Sequence, residues 1–377
     1  MQLSQDKKFN ILHVITILPI GGVENMLLKV VKGYNKNLFN VSICCIKEGG
    51  QIADKLEKSG FNVEILYKMK GHGFDFGAVK SIYNLIKRKN IHILRTHQYH
   101  ANLYGRIAGV LAGIPVIIPS FHNLYESPNK PKLHRRLLNY LLSFFSDALI
   151  GVSNSVASDM ISYDRVNPKK IKVIYNGIVI EKYDSTFSKE KTRTSFGLPL
   201  DCTIIGTVGR LTTQKGHRYL IEAVSGLSGV CIAIAGDGPL LKELKELADK
   251  HKVYCIFMGS LSPKRIPIFL RAIDIFCFPS LWEGFATALA EAMAAELPVI
   301  ASDISPLKEV MGDVGIFIPP GDTERLAKAL KMLIDNNSLR DTLGKKAKKR
   351  AGIFSIDNTI KACENLFQET LRKKKLL

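Results

Sequence analysis

Apolar residues along the chain fall into short runs, and these runs alternate with segments of helical period. Residues 9–17 (FNILHVITI), 39–46 (FNVSICCI), 61–66, 91–96, 115–120, 148–152 and 171–174 are too short for helices and rich in β-branched residues. They predict strands. A helix is predicted to start near Val23 or Glu24, and others over 52–59 and 76–89. The pattern resumes with strands at 202–208, 230–235, 253–258, 273–278, 298–301 and 315–318. Helical segments lie between them, and an amphipathic helix closes the chain at 354–372. Near-continuous apolar strands alternating with helices predict parallel sheets covered on both faces, an α/β chain. The charged stretch 181–193 carries no apolar run and is expected to link a first domain, 1–185, to a second, 186–353. Residues 354–377 form a terminal segment.

At 377 residues and 46% apolar content the chain is long enough for two cores and too apolar for a disordered protein. No run of about 20 apolar residues is present, which predicts no membrane-spanning helix. The first residues lack a small-residue cleavage site and read as a lead into strand one rather than a signal peptide. Cys44, Cys45, Cys202, Cys231, Cys255, Cys277 and Cys363 mostly sit inside strand patterns, with no CxxC pair. They read as reduced thiols of a cytosolic protein.

The formal net charge is +19, and residues 1–187 carry 25 Lys/Arg against 13 Asp/Glu. Such a balance attracts nucleic acid, anionic membrane or anionic substrate. No basic zipper, zinc-finger spacing or RRM-type motif is present, so nucleic acid is not expected. Residues 129–145 (NKPKLHRRLLNYLLSFF) set Lys130, Lys132, Arg135 and Arg136 beside leucines and Phe144 and Phe145. This pattern suits a helix lying on an anionic membrane surface through residues 130–145. It equally suits an amphipathic helix packed on its own sheet with a solvated basic end. In either case part of the apolar face is expected to cover the sheet.

The chemistry concentrates around residues 279–296, PSLWEGFATALAEAMAAE, between a buried strand and an Ala-rich helix. Open α/β sheets bind ligands at the carboxyl ends of their strands, where helix N-terminal amides attract phosphate. Glu283 and Glu291 are eight residues apart, about 12 Å if all helical. That is too far for one acid/base pair, but it suits two grips on an elongated ligand with a diphosphate between them. The same spacing fits a helix-terminal charge and an ordinary surface glutamate.

Arg210 and Lys215 share one loop (GRLTTQKGH) before a helix and suit a diphosphate, as a fork and a point charge; they also fit two solvated cations. Gly21 and Gly22 follow strand one, where a tight turn would let a ligand approach bare backbone; a plain βα turn is the other reading. His97 and His100 close one strand and His122 the next. No Asp or Glu accompanies them closely and the chain contains no Asp-x-Asp, so no metal is expected. The imidazole of His122 can hydrogen-bond a ligand hydroxyl or simply stack within its loop.

EGFATALAEAMA resembles the Glu-x7-Glu signature of the retaining glycosyltransferases of family 4, which have the GT-B fold. The likeness extends to VGRLTTQKGH (208–217), PVIASD (298–303), EVMGDVGIFIPPGD (309–322), YNGI (175–178) and His122-Asn123. It implies two Rossmann-like doubly wound domains facing across a cleft, with the last helix crossing back onto the first. The implied reaction is retaining, metal-independent transfer of a hexose from a nucleotide-diphospho-sugar to an acceptor hydroxyl. The expected setting is bacterial cell-surface polysaccharide or glycolipid synthesis.

By resemblance, Arg210 and Lys215 neutralise the leaving diphosphate, Glu283 and His122 hold the transferred sugar and Glu291 holds the ribose. Gly21, Gly22, Gly284, Phe285, Ala286 and Thr287 offer backbone to the donor, the loop at Leu261 meets the nucleobase, and His97 and His100 lie toward the acceptor. No cofactor beyond the nucleotide-sugar co-substrate is implied. The expected location is cytoplasmic, peripheral on the inner face of the plasma membrane. The sequence departs from the family at Ala286-Thr287, where a Gly often stands, which bears on donor preference. Three other readings stay open: a GT-B sugar-nucleotide epimerase, a GT-B phosphorylase, and a non-enzymatic basic membrane-associated binding protein. The first lacks this Glu-x7-Glu context, the second needs a pyridoxal phosphate lysine and a longer chain, and the third would use the charge alone.

Overall fold

The apolar runs build two parallel sheets in a computed structural model that describes residues 8–69, 74–125, 132–184 and 187–377. The first seven residues and Lys130 lie outside the described residues. The first sheet comprises β1 (Phe9–Ile17), β2 (Phe39–Glu48), β3 (Asn62–Ile65), β4 (Ile93–His97), β5 (Val116–Phe121), β6 (Leu149–Gly151) and β7 (Ile171–Val173). Its order is β3-β2-β1-β4-β5-β6-β7. The second comprises β8 (Thr203–Val208), β9 (Val230–Ala235), β10 (Cys255–Phe257), β11 (Ile275–Phe278), β12 (Val299–Ser302) and β13 (Ile316–Ile318), in the order β10-β9-β8-β11-β12-β13.

The order reverses between β1 and β4 in one sheet and between β8 and β11 in the other. Those are the switch points at which doubly wound folds leave a crevice at the carboxyl edge. The chain divides into two units: the first runs up to Gly177 and resumes over Ile356–Leu377, and the second spans Ile178–Ser355. Helix Ile356–Lys373 therefore packs in the first unit, placing Cys363, Leu366, Phe367 and Leu371 in its core.

Two expectations need correction. The charged stretch 181–193 is not a featureless linker: it enters a 3-10 turn, Ile180–Tyr183, and the helix Lys189–Ser195. Arg193 is buried, with Nη2 2.5 Å from Asp274 Oδ2 and Nε donating to the Ala272 carbonyl. Its charge has a partner, so a polar sequence could be taken inside.

The second correction concerns helix Leu133–Phe144, whose apolar face does not cover the sheet. Its buried residues are Asn139 and Ser143, while Leu133 is 76% exposed, Leu137 54%, Leu141 47% and Phe144 59%. The reason lies beneath it. Buried Arg106 donates through Nη2 to Asn139 Oδ1 at 2.5 Å, and Asn139 Nδ2 reaches Tyr125 Oη at 3.0 Å and Asp164 Oδ2 at 3.2 Å. A buried guanidinium demands acceptors, so the polar face turns inward and the leucines face out.

Candidate functional site

In the second unit, the loop after β8 and the turn after β11 flank the switch point. Glycines let the first loop sit close to its neighbours. A Cβ on Gly236 would lie 1.8 Å from the Gly209 carbonyl oxygen, and one on Gly216 2.1 Å from the Pro279 oxygen. Gly216 also has φ +63°, left-handed backbone that favours glycine. Leu281 N–H donates to the Gln214 carbonyl at 2.7 Å, and Gln214 Nε2 to the Trp282 carbonyl at 2.9 Å. These bonds stitch the two segments together.

Within that frame Lys215 Nζ lies 2.5 Å from Glu283 Oε1 and 4.8 Å from the Phe278 ring centroid. Glu283 is buried and Lys215 is partly buried. Arg210 is exposed. His217 is buried, and burial together with the neighbouring Lys215 charge pulls its pKa down to about 3. The buried polar atoms Ser280 Oγ, Thr212 Oγ1 and both His217 ring nitrogens find no hydrogen-bond partner in this region.

The helix after the turn is Thr287–Ala294. Its N-cap, Ala286, makes no side-chain cap, and no acidic residue occupies the first turn. Phe285 and Ala286 are buried, and Phe285 packs edge-on against Phe354 with ring centroids 5.6 Å apart. Glu291 faces Tyr183, whose hydroxyl hydrogen-bonds it; burial and this carboxylate hold the phenol pKa well above its usual value. Nothing in the sequence pattern of residues 181–193 marked Tyr183. Leu261 is half-buried in the loop after β10, beyond the left-handed Gly259.

The first unit gathers a second group of residues. Gly21 is extended (φ −159°) and Gly22 opens the helix Gly22–Gly33, so neither glycine is required here for a left-handed backbone. Glycine serves space instead, because a Cβ on Gly21 would meet Glu24 Oε2 at 2.2 Å. Glu24 is buried and accepts from Gln98 Nε2 at 2.6 Å. Gln98, between β4 and helix Tyr99–Leu111, holds φ +68°, an uncommon backbone state for a residue with a side chain. Neither residue stood out in the sequence.

His97 is buried and stands in a row with His13 and His122. His13 Nδ1 lies 3.0 Å from His97 Nε2, and His97 Nδ1 lies 3.4 Å from His122 Nε2. His100 stands apart from this row, stacked over Tyr104 with centroids 6.4 Å apart. Among the described residues no group of three His, Cys, Asp or Glu is arranged to hold a metal ion. A pocket of about 160 Å³ opens beside the row, lined by Gln98, Tyr99, His122, Asn123, Tyr125 and Arg135 among others. The Arg135 guanidinium sits 4.3 Å over the Tyr99 ring.

A sequence model described as Glycosyl transferases group 1 matches residues 188–350, and one described as Glycosyltransferase Family 4 matches residues 20–182. An Escherichia coli UDP-Gal:alpha-D-GlcNAc-diphosphoundecaprenol alpha-1,3-galactosyltransferase is 28% identical, over 98% of this chain and 100% of the relative. A Campylobacter jejuni N-acetylgalactosamine-N,N'-diacetylbacillosaminyl-diphospho-undecaprenol 4-alpha-N-acetylgalactosaminyltransferase is 28% identical, over 61% of this chain and 62% of its own. Among solved structures, Anabaena Alr3699/HepE in complex with UDP superposes with a TM-score of 0.85 at 21% identity, over 96% of this chain and 100% of that one.

Proposed function

Since the chain belongs to the group 1 glycosyltransferases of family 4 and has the GT-B fold, we propose that it transfers a hexose from a nucleotide-diphospho-sugar to an acceptor hydroxyl, with retention and without a metal ion. The observation that carries this reading is the meeting, at one switch point, of Lys215, Glu283 and the uncapped N-terminus of helix Thr287–Ala294. Cation and helix amides stabilise charge that grows on a leaving diphosphate, which is electrostatic catalysis. Exposed Arg210 adds a second cation at that phosphate. Buried Glu283 orients hydroxyls of the transferred sugar while holding Lys215, and Glu291, steadied by Tyr183, takes the ribose. Gly284, Phe285, Ala286 and Thr287 present backbone to the donor, and the Leu261 loop meets the base. The acceptor hydroxyl attacks on the face the diphosphate leaves, and the departing phosphate oxygen takes its proton.

The acceptor is a lipid-linked glycan of a cell-surface pathway. Two relatives act on diphosphoundecaprenol-linked sugars, and the first unit pairs a pocket lined by Gln98, His122 and Arg135 among others with an outward-facing apolar helix. In this reading Arg135 meets the acceptor's phosphates, His122 contacts the transferred sugar, and Gly21 and Gly22 line the donor side. Helix Leu133–Phe144 rests on the inner face of the membrane, with Lys132 toward anionic headgroups. No helix among the described residues is long and apolar enough to cross a membrane. The test is donor turnover in EDTA, followed by NMR assignment of the product's anomeric configuration. An inverted product, or activity that returns only with a divalent metal, would remove the retaining, metal-free mechanism.

A further inference from the structure

We propose that the first unit holds a small monovalent anion, of chloride size, beside Arg95, and that this anion sets the proton order of the row His13–His97–His122.

Arg95 is 5% exposed on β4. Its Nη2 donates to Ser120 Oγ at 2.7 Å and its Nη1 to Cys363 Sγ at 3.2 Å, while its Nε finds no acceptor. The Phe367 ring lies 5.6 Å from the guanidinium. Among the described residues no carboxylate pairs with it; its charged neighbours reduce to a thiol and a phenol. A buried ion without a counter-ion is costly.

The three histidines cannot supply a negative charge, and burial and Arg95 hold them neutral. What the structure offers is a cavity of about 30 Å³ whose mostly apolar wall, including Leu27, Val30 and Ile174, is interrupted by Arg95, His13, Tyr34 and His122. That is room for one monatomic ion or one water. Arg95 Nε and His13 Nε2 are buried there without partners, and the Tyr34 hydroxyl lies beside Arg95 and Cys363 without a well-aligned bond. A water would satisfy such donors but not the charge; a halide satisfies both.

The consequence reaches His122. A neutral imidazole carries one N–H, so the row can be ordered in only two ways. With an anion accepting from His13 Nε2–H, His13 Nδ1 must accept from His97 Nε2–H, and His97 Nδ1 from His122 Nε2–H. His122 Nδ1 is then left as a bare acceptor. The opposite order would aim a bare nitrogen lone pair of His13 at the anion.

The site is independent of the transferase reading, and its test does not use activity. Crystals of the whole chain soaked in sodium bromide should show an anomalous peak within hydrogen-bond reach of Arg95 Nε. A water without anomalous signal there overturns the proposal. In solution, replacing gluconate by chloride or bromide at fixed ionic strength should raise the melting temperature by a few degrees. Arg95→Met, if it folds, should lose that response; a melting temperature indifferent to the anion counts against the site. Nitrogen-15 NMR in chloride should find the His122 proton on Nε2, and a proton on Nδ1 overturns the proton order.

Discussion

Lys215 Nζ lies 2.5 Å from Glu283 Oε1, so the loop after β8 and the turn after β11 are joined by an ion pair at the switch point of the second sheet. The two side chains stand 68 residues apart in the sequence. The pair neutralises the buried carboxylate and fixes the cation at that edge.

Lys215→Ala should therefore lower kcat by about 10²–10³-fold, the range for loss of one preorganised donor to developing charge. It should also leave Glu283 buried without its partner and so weaken stability. Glu283→Gln keeps the shape and frees Lys215. It should cut turnover to a similar degree while nucleoside diphosphate binding stays level or tightens. Steady-state rates and calorimetric titration with the nucleoside diphosphate separate the two. Near-normal turnover of Glu283→Gln would take Glu283 out of the reacting site.

Helix Leu133–Phe144 should bind vesicles containing anionic phospholipid and ignore neutral ones. The double variant Leu141→Ser, Phe144→Ser changes only exposed side chains, so its melting curve should match the native one. Its co-sedimentation with anionic vesicles should fall severalfold, and native binding should weaken as salt shortens the Debye length below about 8 Å. Equal sedimentation of both proteins would assign the outward leucines another role.

The histidines predict acid lability. His13 and His97 are held well below, and His122 and His217 at about 3, by burial first and by the cations Arg95 and Lys215 second. Unfolded histidine takes its proton near pH 6.5. Below that pH the unfolded chain binds protons that the native chain refuses, so stability is full above about pH 6.5 and falls as pH drops. Each group contributes up to about 1.4 kcal/mol per pH unit.

Asp164 opposes this trend. Burial raises its pKa to about 6, so from that pH downward the native state takes up a proton and gains stability. The histidines outnumber it. Urea midpoints should decline from about pH 6.5 to pH 4.5, with a shallower slope in His97→Asn. A midpoint flat across that range contradicts the assignment.

The strands were legible because buried parallel strands are nearly continuous apolar runs, and β1, β9 and β11 fall where those runs stand. The Lys215 and Glu283 segments were legible because glycine-bounded turns beside apolar strands mark carboxyl edges. Helix Leu133–Phe144 was not, because periodicity reports two faces and not which one finds a partner. Here Arg106 decides it through Asn139. His13 hides inside an apolar strand, and only the register of β1 on β4, which sets His13 opposite Arg95 and Ile15 opposite His97, brings it into the row. Arg193 and Tyr183 lie in a stretch whose polarity read as linker, since burial of paired polar groups leaves no apolar signal.

The proposed nucleotide-sugar site lies at the β8–β11 switch point. Calorimetric titration with UDP-, GDP- and ADP-sugars in EDTA tests it most directly, run on the native chain and on Lys215→Ala. At least one donor should bind the native chain, and its affinity should drop at least tenfold in Lys215→Ala. No binding of any nucleotide-sugar to the folded native chain, or equal binding by the variant, would contradict it.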